Sequence, residues 1–464
     1  MEDIKSILTN RGYIINKKNF NTKLITKIKQ ELSVEPYSIN KNFNNNIIFK
    51  LYLENKNQLC IPKYYGIKNI GVPEIDDIEE GLSIKVKFVG SMRDYQNKIL
   101  NILIPKFLNE KGGLLCVPPG KGKTAMGLNI LTKLKKKTII IVHKSFLLNQ
   151  WKERIAQFVP DAKVGIIQQN KIEIDDKDIV IGMLQSISMK NYDVSIFEDF
   201  GLTIIDEVHH LGAQVFSNLF KKVNTKYMLG LSATPYREDK LEKVINWHIG
   251  DILYYESSKV NQNQNIQVLL CHYTSNDKLF KIVMNNRTQT AQISTMITNI
   301  TNIHNRTKTI INLILQIKQK ENKRKFLVLS DRIEHLERMK HLVNENSNYS
   351  TSLYIGGMKE KKLKEAELAE IIFSTYQMSS EGLDIPTLNT IVLTTSRKNV
   401  EQSVGRILRK QDGYDVEPLI IDIVDNLKQF KNQSNIRKRH YKKITNENNI
   451  NNYKNIDYNF IKIN

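Results

Sequence analysis

The sequence predicts an α/β protein with two tandem parallel-sheet domains and a small α+β domain before them. Between residues 89 and 430, short apolar and β-branched runs alternate with longer amphipathic segments, which is typical of parallel sheets covered by helices. The alternation weakens between residues 250 and 304, so we expect two such domains of similar size. A length of 464 residues fits two to four domains.

The predicted organisation has five parts. They are an N-terminal accessory domain over 1–88, a first parallel-sheet domain over 89–250, a connector over 251–305, a second parallel-sheet domain over 306–430, and a basic tail over 431–464. Within the accessory domain, residues 46–62 alternate well enough to predict two strands around a polar turn at 55–58. No feature of residues 1–88 indicates a chemical role.

The charge balance favours a polyanionic partner. The chain has 69 Lys and Arg against 48 Asp and Glu, which gives a formal net charge of +21. Nucleic acid is the simplest partner for such an excess. A composition bias is the alternative, because Asn, Ile and Lys are all abundant, as in AT-rich coding sequences.

The positions of the cysteines and the hydropathy of the chain indicate its cellular compartment. Cys60, Cys116 and Cys271 are widely scattered and form neither a metal-spaced cluster nor a disulfide framework. The N-terminus lacks an apolar signal region, and no apolar run approaches membrane-spanning length. We therefore expect an intracellular protein of a reducing compartment, with no membrane partner.

The clearest chemical signal of the first parallel-sheet domain lies at Leu114–Thr124. Leu114–Val117 predicts a buried strand, and Lys123 begins an apolar-periodic helix after a Pro- and Gly-rich turn. Strand, turn and helix N-terminus together cradle phosphate through backbone N–H groups and the helix dipole. Val117 stands where the full phosphate-loop pattern has glycine, so an ordinary strand–turn–helix corner is the alternative. The candidate nucleotide-binding residues here are Pro119, Gly120, Lys121, Gly122, Lys123, Thr124 and Ala125.

Other elements of this domain are predicted on either side of the phosphate loop. A helix over Tyr95–Leu108 leads into the loop, and a second amphipathic helix covers Ser145–Phe158. Continuous apolar runs predict strands at Thr138–Val142, Val164–Ile167, Ile179–Ile181, Leu202–Ile205 and Met228–Leu231.

Two acidic residues follow the predicted strand Leu202–Ile205. Ligands of parallel sheets bind at the carboxyl ends of the strands, where Asp206 and Glu207 are placed. Asp206 can hold Mg²⁺ together with Thr124, and Glu207 can polarise an attacking water. His209 could report the nucleotide state to a neighbouring element. A turn or a helix cap is the alternative for an isolated Asp-Glu pair.

The second parallel-sheet domain carries a pair of arginines but no phosphate loop. Strands are predicted near Ile266–Tyr273 within the connector and at Phe326–Ser330, Ser352–Ile355, Ile371–Ser374, Thr390–Thr394 and Leu419–Ile423, with a helix over Lys308–Ile317. Gln402, Arg406 and Arg409 have the spacing of one face of a helix over Val400–Leu408. Phosphoryl transfer needs such positive charge in its transition state. A surface salt-bridge helix is the alternative.

The predicted tail is strongly basic. No acidic residue occurs between Asp425 and Glu447, whereas Arg437, Lys438 and Lys443 are among the seven cations there. This pattern indicates either a nucleic-acid contact or a solvated helix face.

Five of these stretches, taken together, resemble the motifs of superfamily 2 helicases, which have two RecA-like domains. The stretches are Val117–Thr124, Asp206–His209, Ser232–Pro235, Ser374–Asp384 and Gln402–Arg409, and they occur in the order of that superfamily. Met92–Gln96, Val142–Trp151 and Met183–Ser186 resemble the branch of the repair and transcription-factor DNA helicases. Tyr354–Lys359 and Leu419–Asp425 are similar to the transcript-release DNA helicases of poxviruses and of other large DNA viruses.

The resemblance implies roles for individual residues. ATP and Mg²⁺ would be bound with help from Arg93, Gln96, Gly382 and Asp384, with Gln96 reading the adenine and the last two lining a cleft between the domains. Hydrolysis would depend on Lys123, Asp206, Glu207, Gln402, Arg406 and Arg409. Coupling to domain closure would involve His209, Ser232, Ala233 and Thr234. Nucleic acid would be contacted near His143, Lys144, Gln185, Ser186 and Thr375.

The resemblance implies an ATP-dependent DNA helicase or translocase that moves 3′ to 5′ without sequence preference. Transcription termination, transcript release and DNA repair or recombination are the uses that it suggests, with RNA polymerase or transcription factors as partners. A viral protein of this kind would act in the host cytoplasm, the virion or the nucleus. An RNA or RNA–DNA helicase is one alternative, and an accessory subunit with a vestigial ATPase is another.

Overall fold

The computed structural model confirms an α/β protein with two large parallel sheets. It describes residues 4–35, 48–210, 213–233, 241–256, 265–381, 383, 385–408 and 416–454. The chain forms two compact units, Met1–Ser258 and Lys259–Asn464, with one of these sheets in each. Among the described residues, no helix is long and apolar enough to cross a membrane.

The N-terminal part of the first unit is a small mixed sheet with two helices. Its elements are β1 (Ser6–Thr9), β2 (Gly12–Asn16), α1 (Thr22–Glu31), β3 (Ser33–Val34), β4 (Phe49–Lys50), β5 (Leu53–Glu54), β6 (Gln58–Ile61), α2 (Lys63–Asn69) and β7 (Ile75–Asp76). The strand order is β5-β6-β2-β1-β7, and β3 pairs separately with β4. The polar turn predicted at 55–58 joins β5 to β6, where the Asn55 side chain accepts from the backbone N–H groups of Asn57 and Gln58 at 2.9 and 2.7 Å.

This N-terminal part packs firmly against the first parallel-sheet domain. The buried ammonium group of Lys63 donates to the backbone carbonyl oxygens of Thr225 and Lys226 at 3.3 and 2.7 Å. Burial lowers the pKa of Lys63 to about 7. The rings of Tyr65 and Trp247 meet edge to face with centroids 5.3 Å apart. Residues 1–88 therefore share one compact unit with the domain that follows them.

The first parallel-sheet domain has eight strands in one sheet and, among the described residues, six α-helices. They are α3 (Asp94–Glu110), β8 (Gly112–Cys116), α4 (Lys123–Leu134), β9 (Thr138–Val142), α5 (Ser145–Phe158), β10 (Val164–Gln168), β11 (Lys171–Ile172), β12 (Ile179–Met183), α6 (Leu184–Met189), β13 (Leu202–Ile205), α7 (Ala213–Phe220), β14 (Tyr227–Ser232), α8 (Glu242–Ile249) and β15 (Ile252–Tyr255). The strand order is β11-β10-β12-β9-β13-β14-β8-β15, and every pairing except β10–β11 is parallel. The central strands are buried on both faces, which explains their continuous apolar runs.

The second unit contains a seven-stranded, wholly parallel sheet. Its elements are β16 (Gln267–Tyr273), α9 (Ile293–Thr301), α10 (His304–Lys320), β17 (Phe326–Ser330), α11 (Ile333–Asn346), β18 (Thr351–Tyr354), α12 (Glu360–Ala366), β19 (Ile371–Thr375), α13 (Tyr376–Glu381), β20 (Thr390–Leu393), α14 (Glu401–Val404), β21 (Leu419–Asp425), α15 (Lys428–Ile444) and β22 (Ile450–Lys454). The strand order is β18-β19-β17-β20-β21-β16-β22.

The predicted connector over 251–305 contains one strand of each large sheet. β15 pairs with β8 in the first unit, whereas β16 lies between β21 and β22 in the second. The polar, Asn- and Gln-rich residues before β16 lowered the apparent hydrophobicity of this region. The strand itself is buried except at Gln267 and His272, so it belongs to the core of the second unit.

The prediction of a basic tail after residue 430 is wrong for residues 431–454, because α15 and β22 are integral parts of the second unit. The guanidinium group of Arg437 is buried and forms two bonds with the Asp422 carboxylate, with its Nε at 2.8 Å and its Nη2 at 2.9 Å. The Tyr441 hydroxyl donates to the same carboxylate at 3.0 Å. Arg437 is thus a structural residue, and the interpretation of it as a nucleic-acid contact is wrong.

A second buried ion pair lies near the first on the same strand. Arg306 on α10 binds both carboxylate oxygens of Asp425, with its Nε at 2.7 Å and its Nη2 at 2.9 Å. Its Nη2 also donates to the backbone carbonyl of Thr394 at 2.6 Å. Such bidentate pairs fix the orientation of both partners. They therefore hold β21 against α10, which precedes it in the sequence, and against α15, which follows it.

We expect Arg437→Ala to reduce the free energy of unfolding of the second unit by about 3–5 kcal/mol, because it leaves the Asp422 carboxylate buried without its countercharge. Denaturant unfolding followed by circular dichroism measures this loss. Arg439→Ala is the matched control, since it removes an exposed arginine from the same helix and should change stability by no more than about 0.5 kcal/mol. Equal, small effects of the two substitutions would contradict the structural role of Arg437.

Candidate active site

Three neighbouring parallel strands of the first unit end at one edge of the sheet. β14 pairs with both β13 and β8, so that Ile205 lies opposite Gly230 and Ser232 opposite Cys116. The ladder continues beyond β8, because the backbone N–H of Val117 donates to the carbonyl of Ser232 at 3.1 Å. The segments that follow these three strands carry all the candidate hydrolytic residues of this unit.

The segment after β8 has the backbone of a phosphate loop. Gly120 and Gly122 adopt left-handed conformations with φ of 81° and 78°, and α4 begins directly afterwards at Lys123. A side chain on Gly122 would be strained because of the φ of 78°, and its Cβ would also displace the Gln96 amide nitrogen, which lies 2.3 Å from that position. Val117 is fully buried in the core, which explains why a large apolar side chain is accepted at that position.

Side chains at the start of α3 are hydrogen-bonded to the phosphate loop. The Gln96 side chain accepts from the backbone N–H of Arg93 at 3.0 Å and donates to the carbonyl of Lys121 at 3.1 Å. The Tyr95 hydroxyl donates to the same carbonyl at 3.2 Å. The Lys121 ammonium lies over the Tyr95 ring and 3.4 Å from a carboxylate oxygen of Glu256. Both ends of the Gln96 amide are thus used within the chain, and its predicted adenine contact remains a prediction.

A chain of polar contacts links the phosphate loop to the ends of β13 and β14. The Lys123 ammonium lies 3.7 Å from Oε1 of Glu207 and donates to the carbonyl of Val117 at 3.4 Å. Oε2 of Glu207 lies 3.5 Å from Nδ1 of His209, which is hydrogen-bonded to the Ser232 hydroxyl at 2.8 Å. Glu207 has a left-handed backbone with φ of 48°, a strained conformation that is frequent at functional sites.

Asp206 is the most deeply placed carboxylate of the site. Its Oδ2 accepts from the indole N–H of Trp151 at 2.9 Å, and its Oδ1 accepts from the backbone N–H of Glu207 at 3.0 Å. Burial, together with the nearby Glu207 charge, raises the pKa of Asp206 to about 6. A divalent cation would favour the charged form. The Asp206 carboxylate and the Thr124 hydroxyl at the start of α4 supply the hard oxygen donors that Mg²⁺ prefers.

Trp151 is the residue of this site that the sequence did not reveal. It lies on α5 with 1 % of its surface exposed, and its position within a run similar to one helicase branch gave it no chemical role. One general signal was available, because a buried indole N–H almost always requires an acceptor. The identity of that acceptor, Asp206, depends on tertiary packing that no sequence period shows.

The predicted nucleic-acid residues of the first unit follow two neighbouring strands of the sheet. His143 and Lys144 follow β9, while Gln185 and Ser186 lie on α6 directly after β12, and β9 pairs with β12. Gln185 is exposed, and the Ser186 hydroxyl accepts from a backbone N–H at 2.9 Å. The four residues are therefore on the same edge of the sheet as the phosphate loop, and their predicted contacts with nucleic acid stay predictions.

The predicted helix over Val400–Leu408 in the second unit is wrong in its extent. α14 ends at Val404, and after Gly405 the Arg406 N–H bonds back three residues to the carbonyl of Ser403 at 3.1 Å. The argument that Gln402 and Arg406 share a helical face therefore fails. Arg406 is largely buried and donates from Nη1 to the carbonyl of Leu383 at 2.7 Å, whereas Gln402 is half-buried.

For several other predicted site residues the structure shows few contacts, and others lie outside the described ranges. The Thr375 hydroxyl, at the end of β19, accepts from the backbone N–H of Met378 at 3.3 Å and caps the helix that follows. Ala233 directly follows β14. Thr234, Gly382, Asp384 and Arg409 lie outside the described residues.

Comparisons with known families and proteins place this geometry in context. Residues 90–237 match the family of the type III restriction enzyme res subunit, and residues 305–411 match the conserved C-terminal domain of helicases. A protein of Acanthamoeba polyphaga mimivirus, provisionally named ATP-dependent RNA helicase L396, is 38% identical over 95% of this chain and 86% of its own length. The DNA 3′-5′ translocase XPB2 of Sulfurisphaera tokodaii is 26% identical over 78% of this chain and 88% of its own length.

A solved structure with partial similarity is the helicase domain of Hef from Pyrococcus furiosus. It covers 75% of this chain and 98% of its own, with a TM-score of 0.47 and 14% sequence identity.

We expect Trp151→Phe to weaken binding of the divalent cation by about 10- to 100-fold, because the Asp206 carboxylate loses the donor that orients it, although an aromatic ring is kept. Titration of Mn²⁺ followed by electron paramagnetic resonance measures this in the presence of a non-hydrolysable ATP analogue. Trp247→Phe is the matched control, since it makes the same substitution at the other tryptophan of the chain, against Tyr65. Equal Mn²⁺ affinities for the two variants would show that the indole does not position Asp206.

Proposed function

The chain belongs to the superfamily 2 helicases and is related to those of large DNA viruses, and we propose that it is an ATP-dependent DNA helicase or translocase moving 3′ to 5′. The observation that carries the proposal is the convergence of Lys123, Asp206 and Glu207 at one sheet edge of a nucleic-acid-dependent ATPase. The similarity to the Sulfurisphaera tokodaii protein named as a DNA 3′-5′ translocase, over 78% of the chain, supports DNA as the substrate and 3′ to 5′ as the polarity.

In this proposal the phosphate loop, Asp206 and Glu207 have separate roles in ATP hydrolysis. Backbone N–H groups at the start of α4 and the Lys123 ammonium bind the terminal phosphates of ATP. Thr124 and Asp206 would hold Mg²⁺, which would supply positive charge against the phosphate oxygens. Glu207 accepts a hydrogen bond from the attacking water and orients it. Its carboxylate lies 3.7 Å from the Lys123 ammonium, so that the two groups stay beside the same phosphate.

The contacts of His209 support a coupling role. Its imidazole lies between the Glu207 carboxylate and the Ser232 hydroxyl, at 3.5 and 2.8 Å. A shift of Glu207 when the phosphate leaves would therefore alter the hydrogen bond at the end of β14. We propose that this link, with Ala233 and Thr234, passes the nucleotide state to the segment after β14.

The second unit contributes cationic charge in the proposal. Gln402 and Arg406 lie within the match to the helicase C-terminal domain, and Arg409, Gly382 and Asp384 do so as well. Arg406 has one guanidinium nitrogen on the Leu383 carbonyl, which would hold the side chain in place before it meets negative charge. A pre-oriented arginine loses less entropy when it stabilises a phosphoryl-transfer transition state.

RNA is the second candidate substrate. The mimivirus relative, at 38% identity, bears the provisional name of an RNA helicase, as do relatives in African swine fever virus at 26%. Transcript release, transcription termination and DNA repair or recombination are the uses that we propose, with RNA polymerase or transcription factors as partners. We propose the host cytoplasm, the virion or the nucleus as the compartment of these uses.

The proposal is tested by ATP hydrolysis rates without polymer and with single-stranded DNA, duplex DNA or RNA at saturation. We expect DNA to stimulate hydrolysis several-fold more than RNA. With ATP, the protein should displace a strand from a duplex with a 3′ single-stranded tail and leave a duplex with a 5′ tail intact. Stronger stimulation by RNA would favour the RNA candidate, and displacement only from the 5′-tailed duplex would contradict the proposed polarity.

A further inference from the structure

The strand β15 ends beside the start of the phosphate loop. It pairs in parallel with β8, and the register shifts by one residue between Ile252 and Tyr254. Because of this bulge Tyr255 lies opposite Cys116, and the backbone N–H of Glu256 donates to the Cys116 carbonyl at 2.9 Å. Bulges of this kind re-aim the side chains that follow them. The residue after β15 is therefore fixed next to the last residue of β8, from which the phosphate loop continues.

The side chain of Glu256 contacts the phosphate loop at Lys121. A carboxylate oxygen of Glu256 lies 3.4 Å from the Lys121 ammonium, and 31% and 30% of these two side chains are exposed. The same ammonium lies 4.9 Å from the centroid of the Tyr95 ring. An ion pair at such exposure contributes little when two free side chains must be ordered to form it. Here the sheet holds the backbone of Glu256, and the ring attracts the ammonium, so less freedom is lost when the pair forms.

Lys121 is the point of the phosphate loop at which such a contact has the largest effect. It lies between two glycines with φ of 81° and 78°, so the backbone on both sides of it is not restricted by side chains. Its carbonyl accepts from the Tyr95 hydroxyl at 3.2 Å and from the Gln96 amide at 3.1 Å. Glu256 adds a contact to the side chain, so that Lys121 is held at its backbone and at its ammonium.

We propose that Glu256 is a positioning residue that, through Lys121, holds the phosphate loop ready for a nucleotide. The inference rests on the proposed function, in which this loop binds the phosphates of ATP. A loop that is ordered before its ligand arrives loses less conformational entropy on binding. In this assignment Glu256 touches neither the nucleotide nor the attacking water. It therefore acts on the affinity for ATP and not on the chemical step.

The direction of the effect separates positioning from simple electrostatics. Glu256→Gln removes a negative charge near the phosphate loop, and by Coulomb's law alone this strengthens the binding of an anionic nucleotide. Loss of a positioning contact weakens that binding instead. Asp251→Asn is the matched control, because Asp251 directly precedes β15 and pairs with Lys68 at 3.2 Å. Both substitutions remove one negative charge at an end of the same strand.

The affinity for a non-hydrolysable ATP analogue with Mg²⁺ is measured by isothermal titration calorimetry at low ionic strength, because salt screens partly exposed pairs. We expect Glu256→Gln to raise the Kd about 2- to 5-fold, the range of an ion pair of this exposure. The KM for ATP should rise with it while kcat is kept. Asp251→Asn should have the wild-type Kd. In a Lys121→Gln background, Glu256→Gln should cause no further weakening, because its partner is already absent.

Two results would overturn this role of Glu256. One is analogue binding by Glu256→Gln that is as tight as by Asp251→Asn, or tighter. The other is a weakening that persists undiminished in the Lys121→Gln background. Thermal unfolding followed by circular dichroism should give both single variants the same midpoint, so that a difference in Kd reports the loop and not the fold.

The proposed function and this inference can fail separately. The affinity measurements need neither hydrolysis nor a polymer, so they judge the Glu256 contact by themselves. A wild-type protein that binds the analogue but shows no hydrolysis stimulated by DNA or RNA would refute the proposed function.

Discussion

The parallel hydrogen-bond ladder through β13, β14 and β8 is the constraint on which the candidate active site depends. It aligns three strand ends in register, so that the phosphate loop, the two acids and Ser232 emerge at one edge of one sheet. A slip of one residue in any of these pairings would turn the side chains of that strand to the opposite face. The contacts from Lys123 through Glu207 to His209 therefore follow from strand register more than from any single strong bond.

The second unit uses buried charge for a different purpose. Asp422 and Asp425 on β21 each hold one arginine from a flanking helix, and both arginines are almost completely buried. The Arg437–Asp422 pair holds the strongly basic helix α15 on β21. Arg306 and Arg437 are each neutralised by an aspartate, so the net charge of +21 comes from other residues of the chain.

Much of this architecture could be predicted because buried parallel strands have continuous apolar runs and phosphate loops have a short-range pattern. The strands β8, β9 and β13 were predicted in this way, and so was the place of Lys123 and Asp206 after two of them, whereas the roles of these residues stay predictions. Long-range packing decided the rest. Arg437 has the same sequence surroundings as its exposed neighbours, and only the fold shows that it faces Asp422. The helical spacing of Gln402 and Arg406 was real in sequence, but the helix ends before Gly405.

The most direct test of the site is single-turnover hydrolysis of ATP by Glu207→Gln and Lys123→Ala, with Glu198→Gln, an exposed acid of the same unit, as the control. Glu207→Gln should bind ATP but hydrolyse it about 10²- to 10⁴-fold more slowly, because the water loses its base. Lys123→Ala should bind ATP much more weakly, because the phosphates lose their countercharge, and Glu198→Gln should match the wild type. Wild-type hydrolysis by Glu207→Gln would contradict the claim that these strand ends form the catalytic site.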